Sequence, residues 1–304
     1  MQKGNFPLPL WQAAQEQLKG AYDWHIHTGP SIFWRRADDH EALAEAVDAG
    51  MAGIGLKAHE GDTASRVQLL KNTSSCKVLG GITLNHFVGG LNPAAVEVSL
   101  GIGGRVVWLP SLSARQHVEY YRTVSDSFLN KDFKYSTPGD GIYILNEKGK
   151  LIPEIYEIIE LVKSKGAILS TGHLSAEESL AVAHAFKESV GAGFVVFGHP
   201  DVSINKANIE VQKEFARLGG IIEKCVIALA CPWGEISIEQ YISGIKEVGL
   251  ENCMLSTDAG GPVPKRPSSP EILTGFIAAV LEKGLLTEKE MRIITTNVAS
   301  KIFA

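Results

Sequence analysis

Two histidines one residue apart, in the run Asp23-Trp24-His25-Ile26-His27, are the side chains best placed to do chemistry. In a strand, side chains alternate between faces, so His25 and His27 point the same way. Paired imidazoles at the mouth of a strand make a chelate for a divalent metal ion. Two unrelated histidines on a strand edge would read the same in isolation, so the weight falls on the rest of the chain. His173 follows Thr171-Gly172, His199 follows Gly198, and Asp258 follows Ser256-Thr257, each just beyond an apolar run. His59 and His86 also sit at the ends of such runs, and chance placement on a surface would not favour one end of each repeat. Three histidines and a carboxylate suit Zn²⁺, with Mn²⁺, Fe²⁺ or Ni²⁺ as alternatives, and leave a coordination position for water.

These residues need a scaffold that gathers strand ends. Apolar strands are expected at 21–27, 53–57, 77–83, 105–109, 167–171, 193–197, 220–226 and 252–257. Most are followed by a run with helical spacing, as in Ala42, Leu43, Ala46 and Val47, with Gly50 closing the helix. Alternating strands and helices imply a parallel sheet. Eight such units predict an α/β, (β/α)8 TIM barrel, whose active site lies at the C-terminal strand ends. An open doubly wound sheet is the competing arrangement, but no G-x-G-x-x-G follows the first strand. The expected organisation is a single domain over 1–304. It has an N-terminal helix within 1–20, a small hairpin insertion after strand four at 123–150, and C-terminal helices over 270–304.

The ordered motifs resemble those of the amidohydrolase superfamily of metal-dependent hydrolases. The matching pieces are the H-x-H of strand one, the lone histidines of Thr171-Gly172-His173 and Gly198-His199-Pro200, and the aspartate of Ser256-Thr257-Asp258-Ala259-Gly260. Thr296-Asn297-Val298-Ala299-Ser300 is similar to that group's terminal helix, with Val298 where proline is usual. The resemblance covers nearly the whole chain. It implies that His25, His27, His173 and Asp258 hold one metal, and that His199 binds the metal or orients its water. Asp258 would take the proton of that water and pass it to the leaving group, with His199 as the second catalytic residue. One departure stands out: strand four ends Trp108-Leu109-Pro110-Ser111, without the lysine or glutamate that bridges two metals in other members. One ion per chain is therefore expected. Lys57 or Glu60, after strand two, would be the bridge if a second ion binds.

Lys57, His59 and His86 are the candidate substrate-binding residues. Lys57 could hold a substrate carboxylate or phosphate, or pair with Asp23, Glu60 or Glu223. His86 could equally be a hydrogen-bonded loop histidine. Asp23 is expected to orient a ligand imidazole, and Glu223 to line the pocket or pair with a lysine. His40, His117 and His184 fall in expected helices and read as surface or packing residues.

The formal charge of −5 gives no reason to expect nucleic acid or an anionic membrane as partner. No run approaches the roughly 20 apolar residues of a membrane span. Four cysteines without a C-x-x-C pair suggest reduced, buried thiols. The start of the chain has no signal-peptide pattern, and a cytoplasmic location is expected. An exposed barrel helix would offer a face for a homo-oligomer. The expected activity is hydrolysis of a small molecule at an amide, lactone, ester or phosphoester bond. A one-metal lyase or decarboxylase of the same superfamily, and a metal-binding barrel without turnover, are the alternatives. A phosphoesterase of the polymerase-and-histidinol-phosphatase type would need further ligands that the sequence does not show.

Overall fold

The computed structural model describes residues 6–123, 139–205, 207–230, 234, 236–261 and 267–304. Every expected strand is present: β1 (Tyr22–His27), β2 (Gly53–Lys57), β3 (Lys77–Leu79), β4 (Gly81–Thr83), β5 (Val106–Trp108), β6 (Ile168–Ser170), β7 (Phe194–Phe197), β8 (Ile221–Cys225) and β9 (Cys253–Ser256). Helices alternate with them: α1 (Leu8–Glu16), α2 (Asp39–Asp48), α3 (Ala64–Leu70), α4 (Pro93–Ile102), α5 (Arg115–Thr123), α6 (Pro153–Ser164), α7 (Ala176–Glu188), α8 (Ile209–Arg217), α9 (Ile238–Val248) and α10 (Ser269–Glu282). The tail adds α11 (Glu288–Arg292) and, after a wider turn at Ile293–Asn297, α12 (Val298–Ile302).

The chain groups into two compact units. The first comprises residues 1–56, 69–79 and 223–304. In it β2 lies between β1 and β3, β1 bridges the end of β9 in parallel at Ile26 and Ala259, and β9 neighbours β8. The second comprises residues 57–68 and 80–222. There β4, β5, β6, β7 and the start of β8 run parallel in sequence order. Val106, Val107, Ile168, Leu169, Val196 and Phe197 are buried on these strands. They read as continuous apolar runs because parallel strands are covered on both faces.

Local signals set the helix starts. Asp38 with Glu41, Ser175 with Glu178, Ser237 with Gln240, and Ser268 with Glu271 each close a reciprocal capping box. The expected third strand is split into β3 and β4 at Gly80. There the Thr63 hydroxyl accepts from Gly81 N at 2.9 Å, and Thr63 N donates to Gly81 O at 2.9 Å. These bonds take the place of ladder partners. Within the first unit, Gly55 lets β2 approach β1, since a Cβ there would lie 2.0 Å from the Trp24 carbonyl oxygen.

The expected insertion at 123–150 is described only in its second part. Residues 124–138 lie outside the described residues. Beyond them, the chain turns at Asn146–Lys150, with one antiparallel bridge between Leu145 and Leu151, while Ile142 bridges Ala114 in parallel. Glu178 holds this segment by accepting from Ile144 N at 3.0 Å. The first helix lies within the expected 1–20, and Pro7 and Pro9 supply its start. No helix among the described residues is long and apolar enough to cross a membrane.

Candidate metal centre and histidine clusters

In the first unit, Asp23, His25 and His27 share one face of β1, and all three are buried. Trp24 and Ile26 take the opposite face, also buried. The chain after β9 brings a carboxylate to the two imidazoles. Asp258 has φ of 54°, a left-handed conformation uncommon for a residue with a side chain. It is fixed by bonds on either side: Asp258 N donates to His25 O at 3.0 Å, and His27 N donates to Ala259 O at 2.7 Å. Gly260, at φ of 91°, is required next, because a Cβ there would lie 1.8 Å from the His27 carbonyl oxygen. Such strain persists where surrounding structure over-determines it, and it concentrates at functional sites.

Asp258 Oδ1 lies 3.0 Å from His27 Nε2 and 3.4 Å from His25 Nε2. One ligand atom from each of His25, His27 and Asp258 falls within 4.8 Å of the others. Two ligands on a tetrahedral ion with bonds of about 2.0–2.1 Å stand about 3.3 Å apart, so this donor set fits a divalent ion. His27 is held neutral for that role: its pKa is lowered to about 3, first by burial and then by the Arg35 guanidinium, against the pull of Asp258.

The carboxylate that orients His25 is Glu223, not Asp23. Glu223 Oε1 accepts from His25 Nδ1 at 2.7 Å, from Trp24 Nε1 at 3.0 Å and from Ser256 Oγ at 2.6 Å. Donation from Nδ1 leaves the His25 Nε2 lone pair for a metal. Asp23 instead ties the loop that carries Asp258. It accepts from Thr257 Oγ1, from Thr257 N at 3.1 Å, from Ser269 Oγ at 2.6 Å and from His25 N at 3.2 Å. Burial pushes its carboxyl pKa up, against the opposing effect of those bonds. Two charges, Glu223 and Lys224, inside the apolar run Ile221–Cys225 were the sequence signal for a functional carboxylate on β8.

The second unit gathers its own histidines. The His173 and His199 rings stand 4.9 Å apart, and His59 lies 6.4 Å from His173. Like Asp258, His199 has a left-handed backbone, at φ of 30°. Gly172 allows the turn before His173, since a Cβ there would lie 2.3 Å from Leu109 O. His117, expected on the surface or in packing, is buried against His173, with their Nδ1 atoms 2.7 Å apart. One ring must donate across that contact, and a donating His173 keeps its Nε2 lone pair. His59 Nδ1 is 3.0 Å from Ser111 Oγ, and Asn85 joins both by donating to His59 O and Ser111 Oγ. Lys57 is buried with its ammonium 5.9 Å from the Trp108 ring centre. His86 is half-buried, its backbone N donates to Ser113 Oγ, and its Nε2 is buried without a hydrogen-bond partner.

Burial pushes the His117 pKa down to about 3 and that of His173 well below its usual value, with the His199 charge next in each case. An unfolded histidine titrates near 6.5. Between about pH 6.5 and pH 3 the unfolded chain therefore binds more protons at His27, His117 and His173, and stability falls as pH falls through that window. Asp23 and Glu178, raised by burial, act in the opposite sense above about pH 4. The urea midpoint of chelator-treated protein is expected to drop steadily from pH 7 to pH 4. A flat midpoint over that range would contradict neutral buried imidazoles.

The chain is similar across nearly its whole length to solved structures of one fold. An amidohydrolase from Pseudomonas aeruginosa has a TM-score of 0.63 at 13% identity, covering 96% of this chain and 97% of that one. A probable dipeptidase from the same organism has a TM-score of 0.63 at 12% identity, covering 98% of each chain. A 2,6-dihydroxybenzoate decarboxylase has a TM-score of 0.53 at 13% identity, covering 94% of this chain and 99% of that one. These likenesses show the fold, the α/β TIM-barrel class. No curated protein matches the sequence. The model of a family of unknown function, DUF6282, matches residues 20–223, and the chain belongs to that family.

Proposed function

We propose that the chain is a metal-dependent hydrolase of a small molecule, acting at an amide, lactone, ester or phosphoester bond. The observation that carries this reading is the convergence of His25, His27 and Asp258, with Glu223 fixing the His25 tautomer. The order of motifs along the chain adds His173 and His199 to the ligand set, and Zn²⁺ is the ion the donors favour. A bound divalent ion supplies a Lewis acid and lowers the pKa of water towards about 7. The chain's own residues do the rest. Asp258, about a quarter exposed, accepts the water proton on its carboxylate and delivers it to the leaving group. His27 stays neutral, and Glu223 keeps His25 oriented. Lys57, His59 and His86 are the proposed substrate contacts. The site takes one ion, the substrate is a small molecule rather than nucleic acid or membrane, and the protein works in the cytoplasm, as a homo-oligomer if an exposed helix supplies the face.

A decarboxylase is the second reading, favoured by the fold shared with the dihydroxybenzoate enzyme. Release of CO₂ from an aromatic acid, with no hydrolysis of esters or lactones, would select it.

The test is metal content per chain after purification without chelators, for wild type and for His25→Ala, His27→Ala, His173→Ala and His199→Ala. About one ion in wild type, collapsing in the first two variants, is expected. Loss in the last two assigns those histidines to the same ion. No ion in wild type, even after adding Zn²⁺ or Mn²⁺, sinks the metal hydrolase reading.

A further inference from the structure

Beside Asp258, within the first unit, lies a cavity of about 310 Å³. Its walls are aliphatic: Val226, Ile227 and Leu229 from the turn after β8, Pro267, and Ile272 from the first turn of α10. Asp258 is the one ionisable side chain among its described lining residues. Two other polar groups there are already engaged. The Thr257 hydroxyl donates to Asp23, and the Gly260 carbonyl accepts from Arg35 Nη1 at 2.9 Å. A polar group entering this space would lose its water without gaining partners. An anionic one would also meet the Asp258 carboxylate. An apolar cavity of roughly 150 Å³ already holds benzene, so this one accommodates a substituted ring or a short alkyl chain.

We propose that this cavity seats an uncharged apolar group of the substrate, an alkyl or aryl substituent attached directly to the bond that Asp258 serves. The substrate class is therefore a hydrophobic ester, lactone or amide rather than a polyanionic phosphoester or a charged peptide. This inference rests on the metal reading above.

The test uses hydroxamates, whose head chelates zinc and whose tail can be lengthened. Binding of acetohydroxamate, butyrohydroxamate and hexanohydroxamate to zinc-loaded protein is measured by calorimetry, for wild type and for Leu229→Asp. Both Leu229 and Ile272 are half-buried, so Ile272→Asn replaces the first variant if that fails to fold. The expected result is affinity rising up to about fourfold per methylene in wild type, flattened in the variant, with acetohydroxamate binding unchanged. Equal affinity for all three in wild type, or a slope that the variant leaves intact, overturns the apolar seat while the metal reading stands. Failure of acetohydroxamate to bind zinc-loaded wild type overturns the metal reading and this inference with it.

Discussion

Asp258→Asn is expected to lower kcat by about 10²- to 10⁴-fold, the range by which a positioned proton carrier accelerates a reaction, while leaving the fold in place. The structure favours this substitution over alanine as the test. Asp258 sits at φ of 54°, and asparagine is one of the few residues with a side chain that adopts the left-handed region readily. The amide keeps the shape of the carboxylate and one oxygen facing His25 and His27, but it cannot carry a proton. Alanine would confound the result with backbone strain of about 1–3 kcal/mol. The measurement is steady-state turnover of the best ester, lactone or amide from a substrate screen, beside thermal denaturation and zinc content. Turnover within threefold of wild type would remove Asp258 from proton transfer.

For Glu223→Gln, metal affinity should fall about 10- to 100-fold, as expected when the partner that orients a ligand imidazole is altered. One oxygen, Oε1, accepts from His25, Trp24 and Ser256. The glutamine oxygen can still accept from all three, so the buried cluster stays satisfied and the protein folds. What is lost is the negative charge that makes His25 a stronger donor to a metal. Zinc affinity by competition with a chromogenic chelator reads this directly. A purely structural glutamate would change the denaturation midpoint and leave zinc affinity alone, and that outcome would reject the orienting role. Glu223→Ala is a harsher control: it strands two buried donors besides His25, each at about 1–3 kcal/mol.

Much of this architecture was legible because parallel strands advertise themselves. Seven of the eight apolar runs each became one strand and the third became two, and the capping pairs Asp38–Glu41 and Ser175–Glu178 began their helices where the spacing placed them. The convergence of His25 and His27 followed from period-two alternation alone, and Asp258 from its place after the last strand. Less legible was anything that depends on which partner a buried side chain chooses. Asp23 and Glu223 both face inward, and sequence cannot say that three donors on β1 and β9 would converge on Glu223 while two hydroxyls claimed Asp23. His117 was unreadable for a similar reason. A histidine on a mostly polar helix looks like surface until the neighbouring element brings His173 against it. The break at Gly80 was hidden because a continuous apolar run carries no mark of where Thr63 will interrupt its ladder.

The bond between Asp23 and Thr257 spans 234 positions in the chain, and it locks the strand bearing His25 and His27 to the loop bearing Asp258. During synthesis the histidine pair is made first, and more than 200 further residues follow before Asp258 exists. Contacts of such long range form late, because closing the intervening loop costs entropy before it returns any stabilisation. Metal capture through these three residues would therefore wait on synthesis past Asp258: a ribosome-bound intermediate that stops short of it carries two imidazoles without the carboxylate.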